Sequence, residues 1–198
     1  MEFLRNIDTT VFFWLNANHN VVFNKIMYYA SHTLFWVWFY IILLGLVFAV
    51  LHKKAFFILP VIALMILASD QSANFIKNNV KRYRPCYNEL IKDKVDLNLP
   101  RDVRGKFEMP GQYGFVSSHA ANVFALALFL TLLFKSRYRY FPLLIFSWAF
   151  IVSISRIYNG VHYPSDVTGG AMIGLLAGFL SWKLWLVIDS RFIQKNVS

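Results

Sequence analysis

Long apolar runs separated by short clusters of charge fill the chain from Thr33 onward. A helix rises 1.5 Å per residue, so about 20 apolar residues cross the ~30 Å hydrocarbon layer of a bilayer. Five stretches have that length or approach it: residues 33–51, 55–76, 118–134, 140–155 and 168–188. The first 32 residues read differently. Phe3, Leu4, Val11, Phe12, Phe13, Trp14 and Leu15 alternate with Arg5, Asp8, Asn16 and Asn18, a pattern that suits an interfacial amphipathic helix. A sixth span over 11–30 is the weaker alternative, because Asn16 to Asn20 would then lie mid-membrane. The expected fold is therefore all-α, a polytopic transmembrane helix bundle of five or six spans with an N-terminal amphipathic helix. It forms a single domain over 1–198, with an interfacial segment at 1–32 and an extracytoplasmic loop at 77–117.

Composition agrees with the runs. The chain is 58% hydrophobic and 15% charged, against roughly half and a quarter in soluble proteins, and its mean hydropathy is +0.48. The formal charge of +10 admits nucleic acid, anionic lipid headgroups or the positive-inside bias of membrane proteins. The apolar runs favour the last two, so no nucleic-acid partner is expected. Cys86, the single cysteine, allows neither a disulfide framework nor a thiolate metal cluster. Val11 to Leu15 is too short for a signal-peptide core, and no small-residue cleavage site follows.

The connections predict sidedness. His52-Lys53-Lys54, the segment from Lys135 to Arg139, and Arg191 with Lys195 fall on one side by parity, which makes that side cytoplasmic. The other side receives 77–116 and 156–167. Charges at span ends on that side need a reason. Lys77 ends the second span and Arg84-Pro85 follows; Ser117-Ser118-His119 opens the third; Ser155-Arg156 ends the fourth; His162 and Asp166 precede the fifth. Three cations with Asp166 as the one nearby carboxylate describe a pocket for a polyanion.

Each residue type has a chemical use there. On a helix Asp70, Asn74, Lys77 and Lys81 form one stripe. Lys77 is a compact point charge, whereas Arg84 and Arg156 offer planar forks that grip phosphate oxygens in pairs. Pro85 biases Arg84 out of the helical region and turns its side chain back toward the site. Ser117 and Ser118 stand at a helix N-terminus, where unpaired N–H groups favour anions, and their hydroxyls either cap the helix or bind phosphate. His162 and Asp166 are four residues apart, so the carboxylate can accept from one imidazole nitrogen and leave the other as an unprotonated nucleophile. His119 then protonates the leaving oxygen.

Taken together, Lys77-x6-Arg84-Pro85, Ser117-x-His119 and Ser155-Arg156-x5-His162-x3-Asp166 resemble the three-part signature of the type 2 phosphatidic acid phosphatase superfamily. Val116 stands where that family usually has proline, and Ser118 where it usually has glycine; neither departure removes a catalytic group. The resemblance implies a membrane phosphatase without metal or other cofactor. It implies His162 as nucleophile, Asp166 as its orienting group and His119 as acid, with Lys77, Arg84, Ser117 and Arg156 on the phosphate. Ser118 joins that set by position. Bacterial members of this size act on undecaprenyl pyrophosphate, phosphatidylglycerol phosphate, phosphatidic acid or lipid A phosphates. The implied setting is the inner membrane, multi-pass, with the active site on the extracytoplasmic face and a lipid phosphate and the bilayer as partners.

Other readings of the same residues exist. Cations at span ends anchor headgroups, which accounts for Lys53, Lys54, Arg137, Arg139 and Lys183. His119, His162 and Asp166 are a possible zinc set, but neighbouring cations would repel a divalent metal. Asp70 is a buried carboxylate expected to bond Asn74 or pair with Lys77. Residues 86–113 read as a solvated loop or a gate. The functional alternatives are a lipid phosphotransferase using the same phosphohistidine, and an anion channel. A channel needs polar residues across the membrane, and here they cluster at one face.

Overall fold

The computed structural model describes residues 2–17, 19–101, 104–134 and 137–193. Asn18, Lys135 and Lys195, and the side chains of Phe3 and Leu4, lie outside the described set. Among the described residues seven α-helices follow in order: α1 (Glu2–Asn16), α2 (Val21–Ser31), α3 (Val37–Leu51), α4 (Ala55–Val80), α5 (Ser118–Phe134), α6 (Phe141–Tyr158) and α7 (Pro164–Ile188). Short 3-10 turns lead into α3 and join α3 to α4. The five apolar runs correspond to α3 through α7. Three segments, Thr33–Val80, Phe141–Tyr158 and Pro164–Arg191, are long and apolar enough to cross a membrane, and Ser118–Phe134 is a shorter apolar helix. The protein is an all-helical membrane protein.

Helix α5 is the hub, packed against α4, α6 and, most extensively, α7. The α5–α7 seam is made of small residues. Gly170, Gly174 and Gly178 recur every fourth residue and therefore share one face of α7. A β-carbon at these glycines would sit 2.3, 2.1 and 2.5 Å from the carbonyl oxygens of Ser117, Ala121 and Ala125. Only glycine permits so close a backbone approach, and lipid offers no hydrophobic drive to replace it.

Helices α3 and α4 form a hairpin. Phe48 near the end of α3 meets Phe56 near the start of α4, while the preceding Ser31 and the distal Lys77 both reach the same end of the bundle. At the opposite end Lys54 pairs with Asp189 at 2.6 Å. The site residues and the basic turn at His52–Lys54 thus lie at opposite ends of the helices.

The N-terminal region needs correction in one respect. Residues 11–30 are not one continuous helix: α1 ends at Asn16, and Asn20 caps α2 by accepting from the backbone N–H of Val22 and Phe23. Nor are the polar residues of α1 all solvated: Arg5, Asn6 and Thr10 are exposed, but Asp8 and Asn16 face inward. Asp8, Phe12 and Asn16, spaced by four, are all buried, while Ile7, Val11 and Trp14 are exposed. The polar pair turns inward because partners await it: Asn16 donates to Asp96 and Tyr158 carbonyls and accepts from the Asp96 N–H.

Residues 86–113 are also more than a solvated excursion. Asn98 donates to the Asn24 carbonyl and the Asn159 side chain, Tyr87 to the Pro110 carbonyl, and Val95 packs beside Phe12 and Tyr163. The segment is fastened over one end of the bundle by α1, α2 and the end of α6.

Candidate active site

Four chain segments bring the sequence-read residues to that end. Arg84 is buried, held in extended backbone before Pro85, as the proline requires. Its Nε donates to the Gly111 carbonyl at 2.7 Å, and its Nη1 donates to the Val161 carbonyl at 3.0 Å and faces His162 Nε2 at 2.7 Å. An arginine only donates, so Nε2 presents its lone pair and the proton of the neutral ring rests on Nδ1. That nitrogen lies 3.4 Å from Asp166 Oδ2, long for a hydrogen bond and of the kind that tightens when substrate binds. His162 and Asp166 are both buried. Burial, followed by the charges of Arg84, Arg156 and Lys77, holds the His162 imidazole well below its usual pKa. The ring is therefore unprotonated at neutral pH, as a nucleophile must be.

Lys77, on the last full turn of α4, donates to Ser118 Oγ at 3.2 Å and Asn74 Oδ1 at 3.3 Å. Asn74 in turn donates to Asp70 at 2.9 Å, so the stripe read from the sequence is a relay that aims the ammonium. Lys81, the fourth member, adopts the left-handed conformation that ends α4 and falls off that line. The hydroxyl of Ser118, where the family pattern has glycine, serves to hold Lys77. Ser117 is fully buried; its Oγ accepts from the Ala120 N–H at 3.4 Å, a weak cap of α5, and its N–H donates to the Asp166 carbonyl at 2.9 Å. Arg156 donates through Nη1 to Ser31, and its Nε has no hydrogen-bond partner among the described residues. His119 lines a cavity of about 580 Å³ bounded by the end of α2 and by α3, α4, α5 and α6, whose wall is mostly apolar, with Asp70, Asn122, Ser31, Thr33, Tyr40 and Ser118 as its other polar members.

Several site residues escaped the sequence reading. Gly114 approaches so closely that a β-carbon there would lie 2.8 Å from Asp166 Oδ2. Tyr163 donates its N–H to that same oxygen at 2.9 Å and closes a capping box at the start of α7. Arg82 and Asp8 lie behind Asp166. The signals were faint: a glycine three residues before the serines, a carboxylate in an apolar helix, and an arginine hidden among motif spacers. As for a metal, no group of three His, Cys, Asp or Glu side chains converges among the described residues, and the two histidines face cations.

A model of the PAP2 superfamily matches residues 58–188. The chain belongs to the PAP2 superfamily. The resemblance read from the motifs is thereby confirmed over two-thirds of its length. Among PAP2 relatives, a lipid A 4'-phosphatase of Bacteroides thetaiotaomicron is 37% identical over 94% of this chain and 79% of its own. One of Porphyromonas gingivalis, also a lipid A 4'-phosphatase, is 31% identical over 98% and 79%. The fold is similar to the crystal structure of a transmembrane PAP2 type phosphatidylglycerolphosphate phosphatase from Bacillus subtilis, with a TM-score of 0.66 and 22% identity over 97% of this chain and 90% of that one. As a PAP2 phosphatase the protein is a metal-independent hydrolase of lipid phosphates, working through the family's phosphohistidine.

Proposed function

We propose that the protein removes the phosphate of a lipid A-type glycolipid, with His162 Nε2 as the attacking atom. The observation that carries this reading is the placement of Nε2. The nitrogen is bare of protons, backed by Asp166 and met by Arg84 at 2.7 Å, in a ring of cations beside an apolar cavity. A phosphate arriving there exchanges the Arg84–His162 hydrogen bond for its own bonds to Arg84, Lys77 and Arg156, with Ser117 and Ser118 at the N-terminus of α5 beneath it. Nε2 then forms a bond to phosphorus while the bond from phosphorus to the lipid oxygen breaks, and His119 donates the proton that oxygen needs. Water, deprotonated by the same His119, next attacks phosphorus and breaks the P–N bond, releasing inorganic phosphate. The three cations neutralise the equatorial oxygens throughout. The apolar cavity beside His119 receives an apolar part of the lipid.

Support for a glycolipid comes from the two relatives that match nearly the whole chain, both named lipid A 4'-phosphatases. The test is phosphate release in detergent from lipid A-type, phosphatidic acid, phosphatidylglycerol phosphate and undecaprenyl pyrophosphate substrates. The highest kcat/KM is expected on the lipid A-type phosphate; an equal or higher value on undecaprenyl pyrophosphate overturns that assignment. Release that depends on an added acceptor alcohol would instead establish a phosphotransferase.

The same reading puts five spans in the inner membrane, α1 along the interface, and the site on the extracytoplasmic face. It is supported by the basic turn at the end of the bundle opposite the site. In a Cys86→Ala background, Asp93→Cys should react with an impermeant thiol reagent on intact cells and Arg137→Cys should not. The reverse pattern places the site in the cytoplasm.

A further inference from the structure

Arg82 sits two residues before the phosphate-facing Arg84, yet its guanidinium makes all its bonds behind the catalytic carboxylate. Nη1 donates to Asp166 Oδ1 at 2.9 Å and to Ser165 Oγ at 2.5 Å, and Nη2 donates to Asp8 Oδ2 at 2.5 Å. The plane of the group lies over the Tyr163 ring, 4.1 Å from its centre. Asp8 comes from α1 and secures the other side: Oδ1 accepts from the Ser165 N–H at 2.8 Å and Oδ2 from the Ser165 hydroxyl at 2.6 Å. Asp8 is buried and Asp166 fully so.

This arrangement accounts for every oxygen of both carboxylates. On Asp166, Oδ1 belongs to Arg82, and Oδ2 takes the Tyr163 N–H and faces His162 Nδ1. With Oδ1 held by Arg82 Nη1 and Oδ2 by the Tyr163 N–H, the carboxylate is restrained at both oxygens, so Oδ2 stays aimed at the imidazole. Without Asp8, Arg82 would lose one of its two carboxylate partners and the anchor that fixes its plane. Arg82, half-buried between the two buried anions, offsets part of the penalty of holding Asp166 ionised in a dry site.

We infer that Arg82 and Asp8 are positioning residues for the His162–Asp166 pair, and that the N-terminal helix α1 thereby belongs to the catalytic apparatus. The inference rests on His162 being the nucleophile. It acts through the tautomer: Arg82 holds Asp166, Asp166 holds the Nδ1 proton, and Nε2 is left free to attack.

Charge gives a test that a merely structural contact would fail. The groups facing the pair are Lys77 from α4, Arg82 and Arg84 from the segment after it, His119 from α5, Arg156 from α6 and Asp8 from α1. Removing one cation raises the proton affinity of the coupled pair, whichever member takes the proton. Removing one anion lowers it.

The experiment measures kcat and KM for phosphate release against pH, alongside thermal melting, for the full-length wild type and four variants in detergent. Arg82→Gln should lower kcat about 10- to 100-fold, as loss of an outer hydrogen-bond partner does elsewhere, leave KM nearly unchanged, and move the acid limb of kcat/KM to higher pH. Arg82→Lys should restore the limb but only part of kcat, since an ammonium cannot fork between Asp166 and Asp8. Asp8→Asn should move the limb the opposite way, to lower pH, and it carries the test by itself if Arg82→Gln does not survive extraction. Limbs that stay at the wild-type pH, with activity falling only in step with melting temperature, overturn the proposal. His162→Asn separates the two levels. If it is inactive while the Arg82 and Asp8 variants keep the wild-type profile, only the positioning role falls; if it still turns over, the reading of the site falls first.

Discussion

The α5–α7 pair and the α3–α4 hairpin are both apolar helix pairs, and they pack in opposite ways. Along α5–α7, glycines meet carbonyl oxygens with no room for a β-carbon. Along α3–α4 the residues are large, and Leu34, Trp38, Ile42, Phe56 and Phe75 point away from the protein. In an apolar 18-residue stretch of Thr33–Val80 only 11% of the residues are buried within the protein, and Gly45 on α3 has nothing within 4 Å of where its β-carbon would be. The tight pair begins with the site residues Ser117, His119 and Asp166; the loose pair walls the cavity. Chemistry that tolerates little displacement is mounted on backbone contact, because a shift of 1 Å can remove two orders of magnitude in rate. Recognition of a flexible lipid needs only an apolar space.

Four outcomes would break or sharpen that contrast. The largest effect belongs to the histidines on the tight pair and its approach. His162→Ala should abolish turnover. His119→Ala should lose roughly 10²–10⁴-fold on a lipid alkoxide and much less on p-nitrophenyl phosphate, whose leaving group needs little protonation. Labelled substrate should leave an acid-labile phosphoprotein in His119→Ala and none in His162→Ala; equal trapping in the two reverses the roles.

Next comes packing. Gly174→Val should destabilise by about 3 kcal/mol and inactivate, because the new side chain must push α5 away. Gly45→Val should leave both melting temperature and activity unchanged. A tolerated Gly174→Val would mean that the seam does not set the site.

A smaller, selective effect is expected in the cavity wall. Ile62→Trp should lower kcat/KM on a long-chain lipid phosphate about tenfold while sparing p-nitrophenyl phosphate. Equal losses on both substrates would show that the cavity holds no lipid. The smallest effect is none at all: phosphate release should persist in excess EDTA, and loss restored by zinc or magnesium would overturn the metal-independent mechanism for this chain.

The α5–α7 half was more legible in the sequence than what surrounds it, for a physical reason. Runs of 17–25 apolar residues and residues repeated at helical spacing are local signals, and they located α3 to α7 to within a few positions. Helix α4 runs to Val80 rather than 76, and α7 starts at Pro164 rather than 168, the latter because proline is pre-organised for the first helical position and starts the helix ahead of its apolar run. The motif residues His119, His162, Asp166, Lys77, Arg84 and Arg156 were legible as a set by their chemistry. Arg82 with Asp8 was not, because the pair joins positions 74 apart and either residue alone looks like a solvated charge. The same blindness made Asn16, Asp96 and Asn98 look like loop and surface residues, when they bond one another or the ends of α2 and α6.

Helix α5 has one more consequence, which concerns depth. Its 17 residues reach about 25 Å, less than the ~30 Å hydrocarbon layer, whereas the 26 residues of α4 reach about 39 Å. Enclosed by α4, α6 and α7 and with none of its residues exposed, α5 does not itself meet the bilayer, so an end of it can lie below the membrane surface. With His119 on the first turn of that helix, the thickness of the surrounding lipid is expected to set how far a phosphate must sink to reach it. The host membrane thus becomes a partner in the rate, and lengthening its acyl chains should slow the enzyme without touching a single side chain.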